Sequence, residues 1–133
     1  MKKRVLKCHC GAQAVLRPAS VVHGEKARSD YLYVCARYPA CDSYVGVHRH
    51  SHEPLGSLAD RSLRNKRIQT HKAFDRLWES GMMQRWQAYL WMEFKLGLTK
   101  EQAHIARLPA HKCDELIAAC EEEWQNKMSR LAS

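Results

Sequence analysis

Cys8-His9-Cys10-Gly11 and Cys35-Ala36-Arg37-Tyr38-Pro39-Ala40-Cys41 decide the fold, with 24 residues between Cys10 and Cys35. Two close thiol pairs on separate turns can converge on one tetrahedral Zn²⁺, whose thiolate bonds of roughly 2.3 Å need side chains arriving from turns rather than from mid-strand. Gly11 suits such a turn because it accepts the positive φ of a chain reversing around a metal. Four of the 6 cysteines lie here, and the other two, Cys113 and Cys120, sit far away on a helical pattern. That distribution argues against a secreted disulfide scaffold and for one metal site plus core thiols in a reducing compartment. The expected ligands of a single structural zinc are Cys8, Cys10, Cys35 and Cys41. A Cys-x-Cys pair is tighter than the usual Cys-x-x-Cys, so His9 or His23 in place of Cys8 stays open.

Outward from the cysteines, Ala12 to Arg17, Tyr31 to Val34 and Tyr44 to His48 alternate with period 2, and Pro18 to Asp30 supplies a hairpin connection. The expectation is a three-stranded zinc ribbon over residues 1–50. One alternation is aliphatic, with Leu16, Leu32, Val34, Val45 and Val47, and is expected to pack against the helices. The other carries Arg17, Tyr31, Tyr33, Tyr44 and His48 and is expected to be exposed. Turn-forming residues make 51–57 a linker, and the change of period after it makes 57–133 a helical domain. The fold class is α+β, a ribbon followed by a small bundle of about four helices.

The first helix is expected from Ser57, as N-cap, to Trp78, with Leu63, Arg67, Thr70, Phe74, Leu77 and Trp78 sharing one side. Beside that face, Arg64, Arg67, His71 and Asp75 form an ionisable stripe, either a phosphate-gripping ridge or an internal network. Met83, Trp86, Leu90 and Phe94 mark a second helix that Gly97 stops. Thr99-Lys100-Glu101-Gln102 reads as a capping box opening a short third helix, which Pro109 ends. The last helix places Cys113, Leu116, Ile117, Cys120, Trp124, Met128 and Leu131 on one side. The expected core is Phe74, Leu77, Trp86, Leu90, Leu116, Ile117, Cys120 and Trp124.

Lys and Arg number 22 against 14 acidic residues, a net charge of +8 with pI ≈ 9.4. Residues 1–49 hold 9 basic and 3 acidic residues, whereas 79–133 hold 7 and 8. Such segregation favours an anionic partner for the amino-terminal part, with nucleic acid first among candidates. The expected contacts with DNA, single-stranded or duplex, are Arg17, Tyr31, Tyr33, Arg37, Tyr38, Tyr44, His48, Arg64 and Arg67, joined by Lys2, Lys3 and Arg4 on phosphates. No apolar run approaches the roughly 20 residues of a membrane span, so the expectation is a soluble cytoplasmic protein without a membrane partner. No phosphate-cradling glycine loop, nucleophile elbow or His-Glu-x-x-His motif appears, so no catalytic constellation is visible. His48, His50 and His52 would share a face of an extended chain and offer a second metal site, although the nearest acidic residue is Glu53. Three classes stay open. A nucleic-acid-binding module is favoured over a protein-binding module that modulates a host or replication complex, and over a metal-dependent nuclease.

The Cys-Gly turn followed by Cys-x-x-Tyr-Pro-x-Cys resembles the carboxyl-terminal zinc ribbons of bacterial type IA topoisomerases, and the ribbon looks similar to phage late-gene activators of the Ogr/Delta kind. Both likenesses cover the ribbon alone and imply DNA contact by analogy. A wider likeness runs from Cys8 to about Cys120. It passes through Tyr44-Val45-Gly46-Val47-His48, Pro54-Leu55-Gly56-Ser57-Leu58-Ala59-Asp60, Leu63-Arg64, Arg67, His71, Phe74-Asp75, Leu77-Trp78, Ala88-Tyr89-Leu90-Trp91 and His104-Ile105. In these stretches the chain resembles the phage and plasmid zinc-finger-containing domain family. The resemblance implies a metal site and a phage- or plasmid-type accessory or regulatory protein in the bacterial cytoplasm. The chain departs from that family at Cys8-His9-Cys10, where Cys-x-x-Cys is usual, and at Ala106, where Gly is usual.

Overall fold

The computed structural model describes residues 6–26 and 30–132, so Lys2, Lys3 and Arg4 lie outside the described residues. The chain forms two compact units, residues 1–64 and 65–133. In the first, β1 (Ala14–Pro18) is followed by a single helical turn, α1 (Ser20–His23), then by β2 (Tyr31–Cys35) and β3 (Tyr44–Gly46). The strands make one antiparallel sheet in the order β1-β2-β3. The aromatic and aliphatic run Tyr31-Leu32-Tyr33-Val34 takes the central position, where Leu32 and Val34 are buried, Tyr33 is partly buried and Tyr31 at the strand start stays exposed.

The register corrects the expected faces. Leu16 lies opposite Tyr33, and Tyr33 opposite Val45. Val15 lies opposite Val34, and Val34 opposite Tyr44. Directly opposed residues share a face. Tyr33 and Val45 therefore pack with Leu58 and the cysteines on one side of the sheet, while Leu32 and Val34 pack with Ala19, Val22, Tyr38 and Tyr44 on the other. Neither face is purely aliphatic or purely aromatic. The alternation within each strand holds, but a one-residue change of register exchanges a strand's faces, and the hairpin sets that register.

The stretch expected as a linker is fastened to β3. Val47 bridges Pro54, the Leu55 N–H donates to the Gly46 carbonyl at 2.9 Å, and Tyr44 and Ala59 exchange hydrogen bonds of 3.2 and 3.1 Å. Gly46 eases the crossing, since a Cβ there would lie 3.2 Å from Leu55 Cδ1, tighter than an ordinary contact. Because Ala59 is occupied in this pairing, α2 (Arg61–Glu79) starts later than expected. Its cap is Asp60 rather than Ser57, with Oδ1 accepting the Leu63 N–H at 2.9 Å.

From Asn65 onward α2 belongs to the second unit, with α3 (Arg85–Leu96) and α4 (Ala110–Ala132). Phe74 and Leu77 from α2, Ala88, Met92 and Leu96 from α3, and Cys113, Leu116 and Cys120 from α4 form one core, closed by Ala103, Ile105 and Leu108 of the α3–α4 connection. On α2 the expected line Arg67, Thr70, Phe74 and Leu77 is buried, and α4 turns the expected face inward as far as Cys120. Ile117 and Trp124 are only half-buried.

On α3 the expected face is the wrong one: Trp86, Leu90 and Phe94 are 63, 55 and 83% exposed. The helix is apolar on both sides, and small Ala88 lies at the buried one, where α3 packs on α4. A small side chain lets two helices approach, so it marks the contact better than the largest rings do. Gly97 ends α3 as expected, with φ 62° and its N–H on the Glu93 carbonyl. The capping box also forms: Thr99 N–H donates to Gln102 Oε1 at 3.0 Å, and Gln102 N–H to Thr99 Oγ1 at 3.3 Å. It opens only a turn, however, and the expected third helix shrinks to a 3-10 turn at Ile105–Arg107. Ala103, Ile105 and Leu108 are all drawn into the core there, a spacing that a regular helix would not satisfy.

Candidate metal centre

Cys8 and Cys10 stand on a tight reversal. The Cys8 N–H donates to the Ala12 carbonyl at 2.9 Å and the Gly11 N–H to the Cys8 carbonyl at 3.0 Å, with Gly11 at φ 96° as the turn demands. The second turn leaves β2 at Cys35. Tyr38 N–H bonds the Cys35 carbonyl at 2.9 Å and Cys41 N–H the Arg37 carbonyl at 3.2 Å, and the Tyr38–Pro39 peptide is cis. Ala36 N–H reaches across to the Gln13 carbonyl at 2.9 Å, which ties the two turns together.

These turns bring four sulfurs to one point. Sγ of Cys8 and Cys41 are 3.6 Å apart, those of Cys10 and Cys35 are 3.5 Å apart, and all four lie within 4.8 Å of one another. A tetrahedron with metal–sulfur bonds of roughly 2.3 Å has edges of about 3.8 Å. The thiols are too far apart for disulfides, whose sulfurs sit about 2.0 Å apart, and close enough to share one ion. The four-sulfur set fits one structural Zn²⁺, and among the described residues it is the one cluster of three or more potential ligands. Cys8 is buried at 3% exposure, whereas His9 beside it is exposed. His23 instead packs edge-on to Tyr44, with ring centroids 5.5 Å apart. The geometry thus groups Cys8, and neither histidine, with Cys10, Cys35 and Cys41.

Ser43, which the sequence reading passed over, supports this centre. It is fully buried, its carbonyl accepts the Cys35 N–H at 3.0 Å, and its hydroxyl lies 3.3 Å from Cys41 Sγ. Hydrogen bonding with the Ser43 hydroxyl and backbone draws the Cys41 thiol down to about 7, whereas burial pushes Cys35 up to about 12. A small hydroxyl residue two positions after a ligand cysteine was the available signal, since outer hydrogen bonds of this kind orient metal ligands.

The residues expected to meet nucleic acid are dispersed. Arg17, Tyr31, Arg37 and His48 are exposed, with Arg37 on the cysteine turn and the other three toward the opposite end of the sheet. Tyr33 packs beside the cysteines, and Tyr38 and Tyr44 lie in the cluster on the other face. The two helix arginines have internal tasks. Arg64 lies 4.1 Å over the Tyr44 ring and donates to the carbonyls of Asp42 and Ala59 at 2.9 and 2.6 Å and to the Asp42 carboxylate at 3.2 Å. Arg67 is 8% exposed and gives Nε and Nη2 to the Leu108 carbonyl at 3.2 and 3.0 Å. These bonds hold Arg64 and Arg67 within the fold, but they run to Asp42, Ala59 and Leu108 and not along the stripe, where the expected network has Asp75 hold His71 or Arg67. Asp75 accepts the Trp78 indole N–H at 3.3 Å. His48, His50 and His52 do not share an extended face, because the His52 N–H folds back onto the His48 carbonyl at 3.0 Å.

No helix of the described residues is long and apolar enough to cross a membrane. Nothing among curated proteins or solved structures matches the chain. A family model for a zinc-finger-containing domain matches residues 4–123. It spans both cysteine turns and most of α4, so the chain belongs to the family of zinc-finger-containing domains.

Proposed function

We propose that the ribbon unit is a DNA-binding module, held in shape by its zinc and serving a phage- or plasmid-type accessory or regulatory protein. The observation that carries this reading is the charge of the unit. Residues 1–64 contain 11 basic and 5 acidic residues, a net +6, against 11 and 9 in residues 65–133. Arg17, Arg37 and Arg49 are exposed on a small rigid scaffold, and such a surface binds phosphates through release of counterions. The likeness of the ribbon to topoisomerase and Ogr/Delta ribbons supports DNA as the polyanion, and the wider family likeness supports the phage or plasmid setting. Arg64 and Arg67 are left out of the contact surface because their guanidinium groups hold the fold.

The test is fluorescence anisotropy of the full zinc-loaded chain with labelled single-stranded and duplex DNA over a salt series. Binding is expected at low salt, with log K falling linearly in log salt, and Arg17→Ala combined with Arg37→Ala should flatten the slope. Absence of binding to either DNA at low salt overturns the reading.

A further inference from the structure

A groove of ≈ 580 Å³ lies at the end of the sheet away from the cysteines, a size that accepts a ligand as large as a nucleotide. Leu32, Gly46 and Val47 give it an apolar lining, and Asp30, Tyr31, Arg49 and His52 give it aromatic and charged ones. His52 is the one non-glycine residue with positive φ among the described residues, at 57°. Histidine enters the left-handed region more readily than most residues, and at this turn it sets the direction in which the imidazole leaves the chain. Here the bond from the His52 N–H to the His48 carbonyl fixes the turn and brings the imidazole to 4.9 Å from the Tyr31 ring, tilted by 41°. Tyr31 keeps 40% of its surface exposed beside it. Arg49 is exposed.

We propose that this groove is a subsite for one unstacked nucleotide of a single strand, a deepening that rests on the nucleic-acid reading above. The base lies against the Tyr31 and His52 rings, its phosphate meets Arg49, and the Asp30 carboxylate accepts a hydrogen bond from an exocyclic amino group. The rings favour a single strand over a duplex, because paired bases have both faces already stacked. The carboxylate favours cytosine, which offers an amino donor, over thymine, which has none. None of these four residues takes part in the zinc site, so the subsite can be removed while the ribbon stays folded.

The experiment measures binding of the full zinc-loaded chain to a short oligodeoxycytidylate, to oligothymidylate of equal length and to cytidine monophosphate. Wild type is compared with Tyr31→Ala, Tyr31→Phe, Arg49→Ala and, at the cysteine end, Arg37→Ala. Tyr31→Ala should weaken oligodeoxycytidylate binding by roughly 5- to 150-fold, the loss expected for one base–aromatic stack, while Tyr31→Phe should retain it. Arg49→Ala should lower the salt slope by about 0.7. Zinc content, measured on each variant, certifies the fold. If wild type binds oligodeoxycytidylate but Tyr31→Ala and Arg49→Ala bind it equally well with full zinc, the subsite is wrong and the broader reading stands. If cytidine monophosphate binds as tightly as the oligomer, the groove is a free-nucleotide site and the proposal also falls. If wild type binds neither single strands nor duplex at low salt, both fall together.

Discussion

The ribbon buries Cys8, Cys35 and Leu58 on one face of its sheet and Ala19, Leu32 and Val34 on the other, whereas the helical unit gathers 11 buried residues into one cluster. Two of the three buried residues in the first ribbon cluster, Cys8 and Cys35, belong to the four-sulfur set that fits a zinc ion. A sheet this small removes little apolar surface from water against the entropy of ordering its chain, and a bound ion adds bonds that packing does not supply. In the helical unit Phe74, Leu77, Met92 and Leu116 are at most 1% exposed, and apolar burial does that work without a metal. One chain thus carries a unit whose stability is chemical and a unit whose stability is packing.

The sharpest way to break this comparison is to take the zinc away. Structural zinc in small fingers contributes about 10–16 kcal/mol of apparent binding energy at neutral pH, and that energy is folding energy. A strong chelator, or Cys35→Ser, should erase the dispersed amide NMR signals of residues 6–26 and 30–59 while leaving those of α3 and α4 in place. Purified protein that contains no zinc and shows the same ribbon spectrum with and without chelator would contradict the comparison. Acid should have the same effect as chelation, because protons compete with the metal for thiolate.

Packing is tested next, on α3, where two neighbouring rows of large side chains behave differently. Met92 is fully buried and Leu90, two positions earlier, is 55% exposed. Met92→Ala should cost about 2–5 kcal/mol in urea unfolding of the helical unit, since it leaves a cavity. Leu90→Ala should cost less than about 0.5 kcal/mol, as surface changes do. Equal losses at the two positions would mean that the buried row of α3 is misplaced, and zinc content should be unchanged in both.

The same pair of rows shows what the sequence could express. Cys8, Cys10, Cys35 and Cys41 were legible because metal geometry constrains spacing within each turn, and residues far apart need only converge. The α2 face was legible because polar residues interrupt it on the other side, leaving Thr70, Phe74 and Leu77 at helical intervals. On α3 nothing interrupts: Trp86, Leu90 and Phe94 repeat every four residues as regularly as Ala88, Met92 and Leu96 do. Period alone therefore cannot choose the face, and the helix contact takes the smaller row rather than the bulkier one. The sheet failed for a related reason. Alternation names the two faces of each strand but not which face of one strand joins which of the next, and that depends on hairpin register. Arg64 and Arg67 looked like phosphate ligands because their partners, Asp42 and the Leu108 carbonyl, are 22 and 41 residues away.

The smallest expected effect separates the two units by pH on the alkaline side. Cys120 is 2% exposed in the helical core, and burial, reinforced by Glu121 and Glu123, pushes its thiol from 9.0 up to about 12. In the unfolded chain the same thiol ionises at its ordinary value, so between those limits the folded state holds a proton that the unfolded state has lost. Stability must then fall as pH rises through this window, by at most about 1.4 kcal/mol per pH unit, and be fully present below it. Cys120→Ala removes the titrating group. Its stability is shifted by the lost packing at every pH, but its decline between about pH 9 and pH 10 should be shallower than that of wild type. The measurement is urea unfolding followed by tryptophan fluorescence, and all 4 tryptophans, Trp78, Trp86, Trp91 and Trp124, lie in the helical unit. Parallel pH dependences for the two proteins would show that the Cys120 thiol is not shielded from water, and the contrast between a core closed by packing and a ribbon closed by metal would lose its alkaline half.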